Sequence, residues 1–167
     1  ARGYSLPMDQ VTPEGARARM ALFEREVTRL FDALYADEDP PSDLVHVTCT
    51  GYVAPSGAQA LVARRGWGER TRVTHAYHMG CYAALPALRI AEGCLASAAT
   101  PARVDVVHTE LCTLHMDPSD HSPEQLVVQT LFADGCVRYS IDRTPRVRSL
   151  RCVATSERVL PGSTDAM

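Results

Sequence analysis

Apolar residues recur along this chain first at helical and then at strand spacing. Ala16, Met20, Phe23, Val27, Leu30, Phe31 and Leu34 fall on one helical face, after a Thr12-Pro13-Glu14 start with an N-cap residue and a proline in the first turn. The acidic, proline-containing stretch Asp37 to Pro41 closes that long amphipathic helix and reads as a surface connector. Leu44 to Thr50 is then a β-branched apolar run of strand length that stops at Gly51, the pattern of a strand buried on both faces.

The alternation continues. A short helix is predicted over Gln59–Arg65, a strand over Arg72–His78, and a helix from about Tyr82 to Ala96. Arg103–Glu110 reads as a strand, Pro123–Phe132 as a helix, and Cys136–Ile141 and Leu150–Thr155 as two further strands. After the leading helix the order is β-α-β-α-β-α-β-β, which implies a layered α/β domain with a mixed sheet and no internal repeat.

Composition narrows the picture modestly. The 167 residues are 46% hydrophobic with a formal net charge of -3, ordinary for one globular domain with a real core. All 17 cationic residues are arginine and alanine is abundant, as in GC-rich bacterial coding sequence. They are scattered among 20 acidic residues, so no footprint for nucleic acid or an anionic membrane stands out. No apolar run approaches the roughly 20 residues of a membrane span, and Ala1-Arg2-Gly3-Tyr4-Ser5 lacks a signal-peptide core. A cytoplasmic location is the default expectation.

The six cysteines, Cys49, Cys81, Cys94, Cys112, Cys136 and Cys152, contain no CxxC pair. Structural zinc is therefore not expected, and no metal is assigned. In a reducing compartment most of them read as small core hydrophobes.

Cys81 stands apart by position, because Met79-Gly80-Cys81 joins a buried strand to a helix. A helix N-terminus favours a thiolate, and free backbone N–H groups nearby can receive a developing oxyanion. Gly80 permits the sharp turn seen in other strand-to-helix nucleophile sites. On position alone, a core cysteine in a β–α turn reads the same way.

Three ordered blocks add a resemblance. His78-Met79-Gly80-Cys81-Tyr82-Ala83-Ala84-Leu85-Pro86-Ala87-Leu88-Arg89-Ile90-Ala91 resembles the nucleophile segment of the type III polyketide synthases, the chalcone synthase-related condensing enzymes of the thiolase superfamily. Glu110 to His115 with Gln129 to Gly135, and Cys49 to Ala58, resemble the downstream and upstream pocket segments of the same family. The resemblance implies a thiolase-like fold, with residues 1–167 as the first α/β half of an αβαβα sandwich. It implies an acyltransferase that carries its acyl chain on Cys81 and forms carbon–carbon bonds by Claisen-type condensation. It also implies Phe132 as a gatekeeper between a pantetheine tunnel and a reaction cavity, and Cys49, Thr50, Glu110, Cys112, His115 and Val128 as cavity lining.

Departures from the plant-type pattern point to a re-shaped pocket. Ala54 stands at a methionine position, Val128 at a cavity glycine, Ala84 at a common glycine, and His115 where threonine is frequent. His115 is read either as a group that binds a substrate carbonyl or as a satisfied core histidine. Glu110 is read either as a buried polarising group or as a hydrogen-bonded carboxylate. His75 and His78 lie on opposite strand faces, and neither is assigned as a base.

In the resembled family a histidine and an asparagine of the second half complete the catalytic set. The expectation is therefore a fragment whose C-terminal half is a separate chain, acting as a homodimer. Acyl thioesters would arrive on coenzyme A or on the phosphopantetheine of an acyl carrier protein, with no resident cofactor. The narrower expectation is a stand-alone ketosynthase joining two β-keto acyl chains into an α-pyrone antibiotic of the myxopyronin or corallopyronin type. Alternatives are a synthase extending a fatty acyl starter with malonyl units, a ketosynthase III-like acyltransferase, and a non-catalytic thiolase-fold subunit. A thiol redox protein would need a resolving cysteine near Cys81, and none is obvious in the sequence.

Overall fold

A computed structural model describes residues 13–98, 102–144 and 147–163. Helix α1 spans Pro13–Leu34; its predicted Thr12 cap lies outside the described residues. Strand β1 (Asp43–Thr48), helix α2 (Gly57–Arg64), strand β2 (Arg72–Tyr77) and helix α3 (Ala84–Ser97) follow. Strand β3 (Arg103–Glu110), a 3-10 turn at Cys112–His115, helix α4 (Pro123–Leu131) and strand β4 (Gly135–Asp142) complete the order.

The sheet runs β2-β1-β3-β4. β1 pairs in parallel with β2 and β3, and β4 closes the edge antiparallel to β3. The mixed sheet read from the sequence is thus present, with β1 at its centre and every β1 residue buried.

Period-two alternation divides the core into two layers. Leu44 and Val107 face α1 and α2, where Phe23, Val27, Phe31, Tyr35 and Leu61 are fully buried. Val45, Val47, Val104 and Val106 face the small residues Ala83, Ala87 and Ala91 of the α3 layer. Alanine along α3 lets that helix approach the sheet closely. Ser56 begins α2 with a reciprocal capping box: Ser56 Oγ accepts from Gln59 N–H, and Gln59 Oε1 accepts from Ser56 N–H, both at 3.2 Å.

Two expectations are corrected. Leu150–Thr155 is not a strand; residues 147–160 carry almost no regular structure, and Leu150, Val153 and Val159 are exposed. A strand needs a ladder partner, and among the described residues none pairs with this segment. The segment is tied to α3 instead, through the Arg89–Glu157 ion pair and Cys152 Sγ at 3.6 Å from Glu92. The second correction concerns the start of α3, which is Ala84 and not Tyr82. Residues 80–83 form a separate turn, closed by Ala83 N–H donating to Gly80 O at 3.0 Å. Ala83, a buried apolar residue, offers no side-chain cap that would extend the helix backward.

Among the described residues, no helix is long and apolar enough to cross a membrane.

Candidate active site at the carboxyl end of the parallel strands

β1, β2 and β3 all end on one side of the sheet, at Thr48, Tyr77 and Glu110, and β4 begins there at Gly135. In open α/β sheets, ligands bind beyond the carboxyl ends of the parallel strands. Cys81 lies at that end, exposed, in the turn ahead of α3. Gly80 has φ of 92°, in the region where a side chain would be strained, so the turn requires glycine there. The nucleophile candidate thus precedes the helix by a full turn of chain rather than occupying its first position.

Two expected site residues, Cys49 and Thr50, converge with Thr48 on the carboxylate of a third, Glu110. Glu110 accepts from Cys49 N–H at 2.9 and 3.1 Å, from Thr50 Oγ1 at 2.7 Å and from Thr48 Oγ1 at 3.4 Å. Thr50 Oγ1 in turn accepts from Leu111 N–H at 2.9 Å. The last residue of β3 is thereby locked to the loop leaving β1. Glu110 is a multiply hydrogen-bonded, half-buried carboxylate, and its oxygens are engaged in holding that loop.

His115 donates from Nε2 to Thr50 O at 2.8 Å, which also fixes its tautomer, since a carbonyl only accepts. It is satisfied but exposed, so it is not a core histidine. Cys112 is partly buried; burial pushes its thiol pKa up, and Glu110, Asp134 and then Cys81 push in the same direction.

Val128 and Phe132 sit apart from this cradle, on and just after α4, and both are exposed. Leu126, Val127 and Leu131 of the same helix are exposed as well. The α4 end is linked to the site through Asp134, which accepts from Thr113 N–H at 2.9 Å and Thr113 Oγ1 at 2.7 Å. The structure thus brings Cys49, Thr50, Glu110 and His115 into direct contact, holds Cys112 beside them, and leaves Val128 and Phe132 on an open apolar face.

Two residues inside the resembling segments have a role there that the sequence alone does not assign. Asp134 lies in the Gln129–Gly135 segment with no residue pattern that marks it as an acceptor for Thr113. Strand alternation gives His78 no role as a base, and the residue in fact lies beyond the strand, in left-handed backbone with φ of 54°. The adjacent Met79-Gly80 turn was the available signal for it. Among the described residues, no cluster of three His, Cys, Asp or Glu is arranged to hold a metal.

The model of the chalcone and stilbene synthase N-terminal domain matches residues 35–145. The chain belongs to the chalcone and stilbene synthase family. The match contains the whole sheet and the Cys81 turn. Among curated relatives of this chalcone synthase-family chain, a probable polyketide synthase 1 of Dictyostelium discoideum is 32% identical over 134 residues, 78% of the chain. Polyketide synthase 37 of the same organism is 32% identical over 129 residues, 75% of the chain. The chain spans only 4% of the length of either.

Among solved structures, 1,3,6,8-tetrahydroxynaphthalene synthase from Streptomyces coelicolor, a bacterial type III polyketide synthase, superposes with a TM-score of 0.79 at 23% identity. That alignment covers 94% of this chain and 47% of the other. The C-terminal type III polyketide synthase domain of Steely1 from Dictyostelium gives 0.63 at 28% identity, covering 84% and 43%. The fold is therefore the N-terminal half of the thiolase-like type III synthase architecture.

Proposed function

We propose that this chain supplies the nucleophile half of a ketosynthase. The observation that carries the reading is the exposed Cys81 thiol on the Gly80 turn, at the carboxyl end of the parallel strands, in a chain of the chalcone and stilbene synthase family. The Cys81 thiolate attacks the carbonyl carbon of an acyl thioester; the new carbon–sulfur bond forms, the old one breaks, and the donor thiol leaves. A second acyl thioester then loses a proton or a carboxyl group from its α-carbon, that carbon attacks the acyl carbonyl, a carbon–carbon bond forms, and the bond to Cys81 sulfur breaks to free the thiolate. Splitting condensation through an enzyme thioester makes each half easier.

The catalytic histidine and asparagine that this chemistry needs belong to the second half of the type III synthase fold, and the complete enzyme works as a homodimer. The site's acyl groups arrive on coenzyme A or an acyl carrier protein, with no resident cofactor. Within the class, Val128, Ala54 and Ala84 in place of the plant-type residues support a pocket built for aliphatic β-keto acyl chains joined into an α-pyrone. Phe132, with Cys49, Thr50, Glu110, Cys112, His115 and Val128, is assigned to the wall around the acyl chain.

The test is peptide mass spectrometry after incubating the complete protein with a panel of acyl thioesters. Acyl adducts are expected on the Cys81 peptide and absent from Cys81→Ala. Adducts on another cysteine, or none with any donor, would sink the reading.

A further inference from the structure

His78 donates from its backbone N–H to Thr48 O at 2.9 Å, the last rung tying β2's end to β1. Beyond it, Ala83 N–H closes the turn on Gly80 O, and Tyr82 O and Ala83 O accept from Leu85 and Ala87 of α3; none of these bonds reaches the sheet. Gly80, with its permissive backbone, adds no stiffness there. Met79 and Ala83 pack the turn into the apolar layer over the sheet, and on its polar side the His78 ring ties it to the loop leaving β1.

That ring is gripped from two directions. Nε2–H donates to Gly51 O at 3.1 Å, and the ring stacks on Tyr52 with centroids 3.6 Å apart and planes 10° from parallel. The gripping loop is itself fixed to α1. A Cβ on Gly51 would lie 2.2 Å from the ring of fully buried Phe23, so backbone and ring are in direct contact there. Tyr52 N–H points at Met20 Sδ, 3.1 Å away. A continuous line of contacts therefore runs from α1 through Gly51 and Tyr52 to His78, three residues before the thiol. His78 keeps left-handed backbone, φ 54°, an arrangement strained for a residue with a side chain that persists where surroundings enforce it.

We infer that His78 is a positioning residue of the nucleophile turn: clamped between Gly51 O and the Tyr52 ring, it sets where Cys81 Sγ meets the thioester carbonyl. It neither touches the acyl group nor transfers a proton; its Nε2 proton is committed to Gly51 O. The inference rests on the ketosynthase reading, and it concerns the attack step alone, in which the carbonyl carbon gains the Cys81 sulfur and loses the donor thiol.

The test compares His78→Gly and His78→Gln in the complete protein. Two rates are measured at Cys81: single-turnover acylation across thioester concentrations, and alkylation by iodoacetamide. Glycine keeps the backbone conformation and removes the clamp, so the limiting acylation rate is expected to fall about 10- to 100-fold with half-saturation little changed. Iodoacetamide, small and undemanding of trajectory, is expected to react at close to the wild-type rate. Glutamine restores a donor that reaches Gly51 O, and is expected to recover most of the acylation rate. Where His78→Gly does not fold, His78→Asn takes its place, since it tolerates left-handed backbone but is too short to reach that carbonyl.

Wild-type acylation in His78→Gly, equal losses of acylation and alkylation, or a glutamine variant no better than glycine would each overturn the positioning role while leaving Cys81 as nucleophile. Failure of the wild type itself to acylate at Cys81 would overturn the ketosynthase reading, and the inference with it.

Discussion

The two ends of the sheet solve opposite problems. At the end where β3 begins, Asp105 is fully buried and accepts from Tyr35 OH at 3.0 Å and Ser140 Oγ at 2.7 Å. Arg103 Nε lies 3.2 Å from the same carboxylate, too poorly aligned for a hydrogen bond. Arg138 stacks 4.9 Å from the Tyr35 ring centroid and pairs with Glu38 at 2.8 Å. Burial, followed by the Asp105 carboxylate, pushes the Tyr35 phenol pKa well above its ordinary value. The Asp105, Tyr35, Ser140, Arg138 and Glu38 side chains there find partners inside this chain, while Arg103 Nε makes no hydrogen bond. At the other end, Cys81, Tyr82, Leu131 and Phe132 face outward. The closed end holds the sheet together, whereas the open end offers a thiol and apolar surface to something else.

The largest effect is expected at the closed end. Asp105→Ala would leave the Tyr35 hydroxyl and Ser140 without their shared acceptor and the Arg103 guanidinium without this carboxylate beside it. Removing one member of a buried charged set costs about 3–5 kcal/mol, much of it from the stranded partners. Chemical denaturation should show the loss directly. A change below about 1 kcal/mol, the scale of an exposed pair, would mean that the closed end is not the anchor described.

Gly51→Ala reaches the open end through packing. The added methyl would overlap the buried Phe23 ring, and overpacking of this kind costs about 1–3 kcal/mol. Because Gly51 O also receives the His78 proton, the variant is expected to lose Cys81 acylation beyond what its stability predicts. Loss of stability with unchanged acylation of the folded fraction would separate the loop from the nucleophile turn.

Between the two ends lies His46, fully buried on β1, with Nε2 2.9 Å from Thr109 Oγ1 and Nδ1 2.9 Å from the Tyr77 hydroxyl. Burial, with smaller contributions from His75 and His108, lowers its pKa from 6.5 to about 3. As pH falls, the unfolded chain takes up this proton first. His46 therefore costs no stability above pH 6.5 and removes it progressively between 6.5 and about 3. The slope reaches up to about 1.4 kcal/mol per pH unit. His46→Gln should flatten the pH dependence of unfolding across that window, whatever it does to stability at neutral pH. Parallel curves for the two proteins would count against a neutral buried His46.

What the sequence disclosed follows the same division. The strands and helices of the core were legible because their apolar residues repeat at period 2 or 3.6 over lengths that only one element satisfies, as in α1 and β1. Cys81 was legible from the Gly80 turn and its flanking blocks. The Leu150–Thr155 segment was misread because alternation signals a strand only where a neighbour accepts its ladder, and partners are a tertiary property. His46 gave no sign of its role either; inside a β-branched run it looks like any strand histidine until Tyr77 and Thr109 meet it. His78 and Asp134 act through backbone atoms of residues that are distant in sequence, or through a left-handed φ, and neither leaves a periodic trace.

The smallest effect on stability is expected at Phe132, where the open end meets the proposed chemistry. Its side chain is 45% exposed, at the C-cap of a helix with no buried residue. Phe132→Ala should shift the unfolding free energy by less than about 0.5 kcal/mol, as for surface positions generally. If Phe132 borders the path of the acyl chain, the same variant should change which thioesters load Cys81, raising acceptance of longer or branched chains relative to short ones. Competition between two donors, read as the ratio of adducts on the Cys81 peptide, measures this without reference to total activity. An unchanged ratio would remove Phe132 from the acyl path and leave it an exposed aromatic on the α4 face. A large loss of stability would instead show that the face is covered in the complete protein, and the contrast between closed and open ends would then belong to this chain alone.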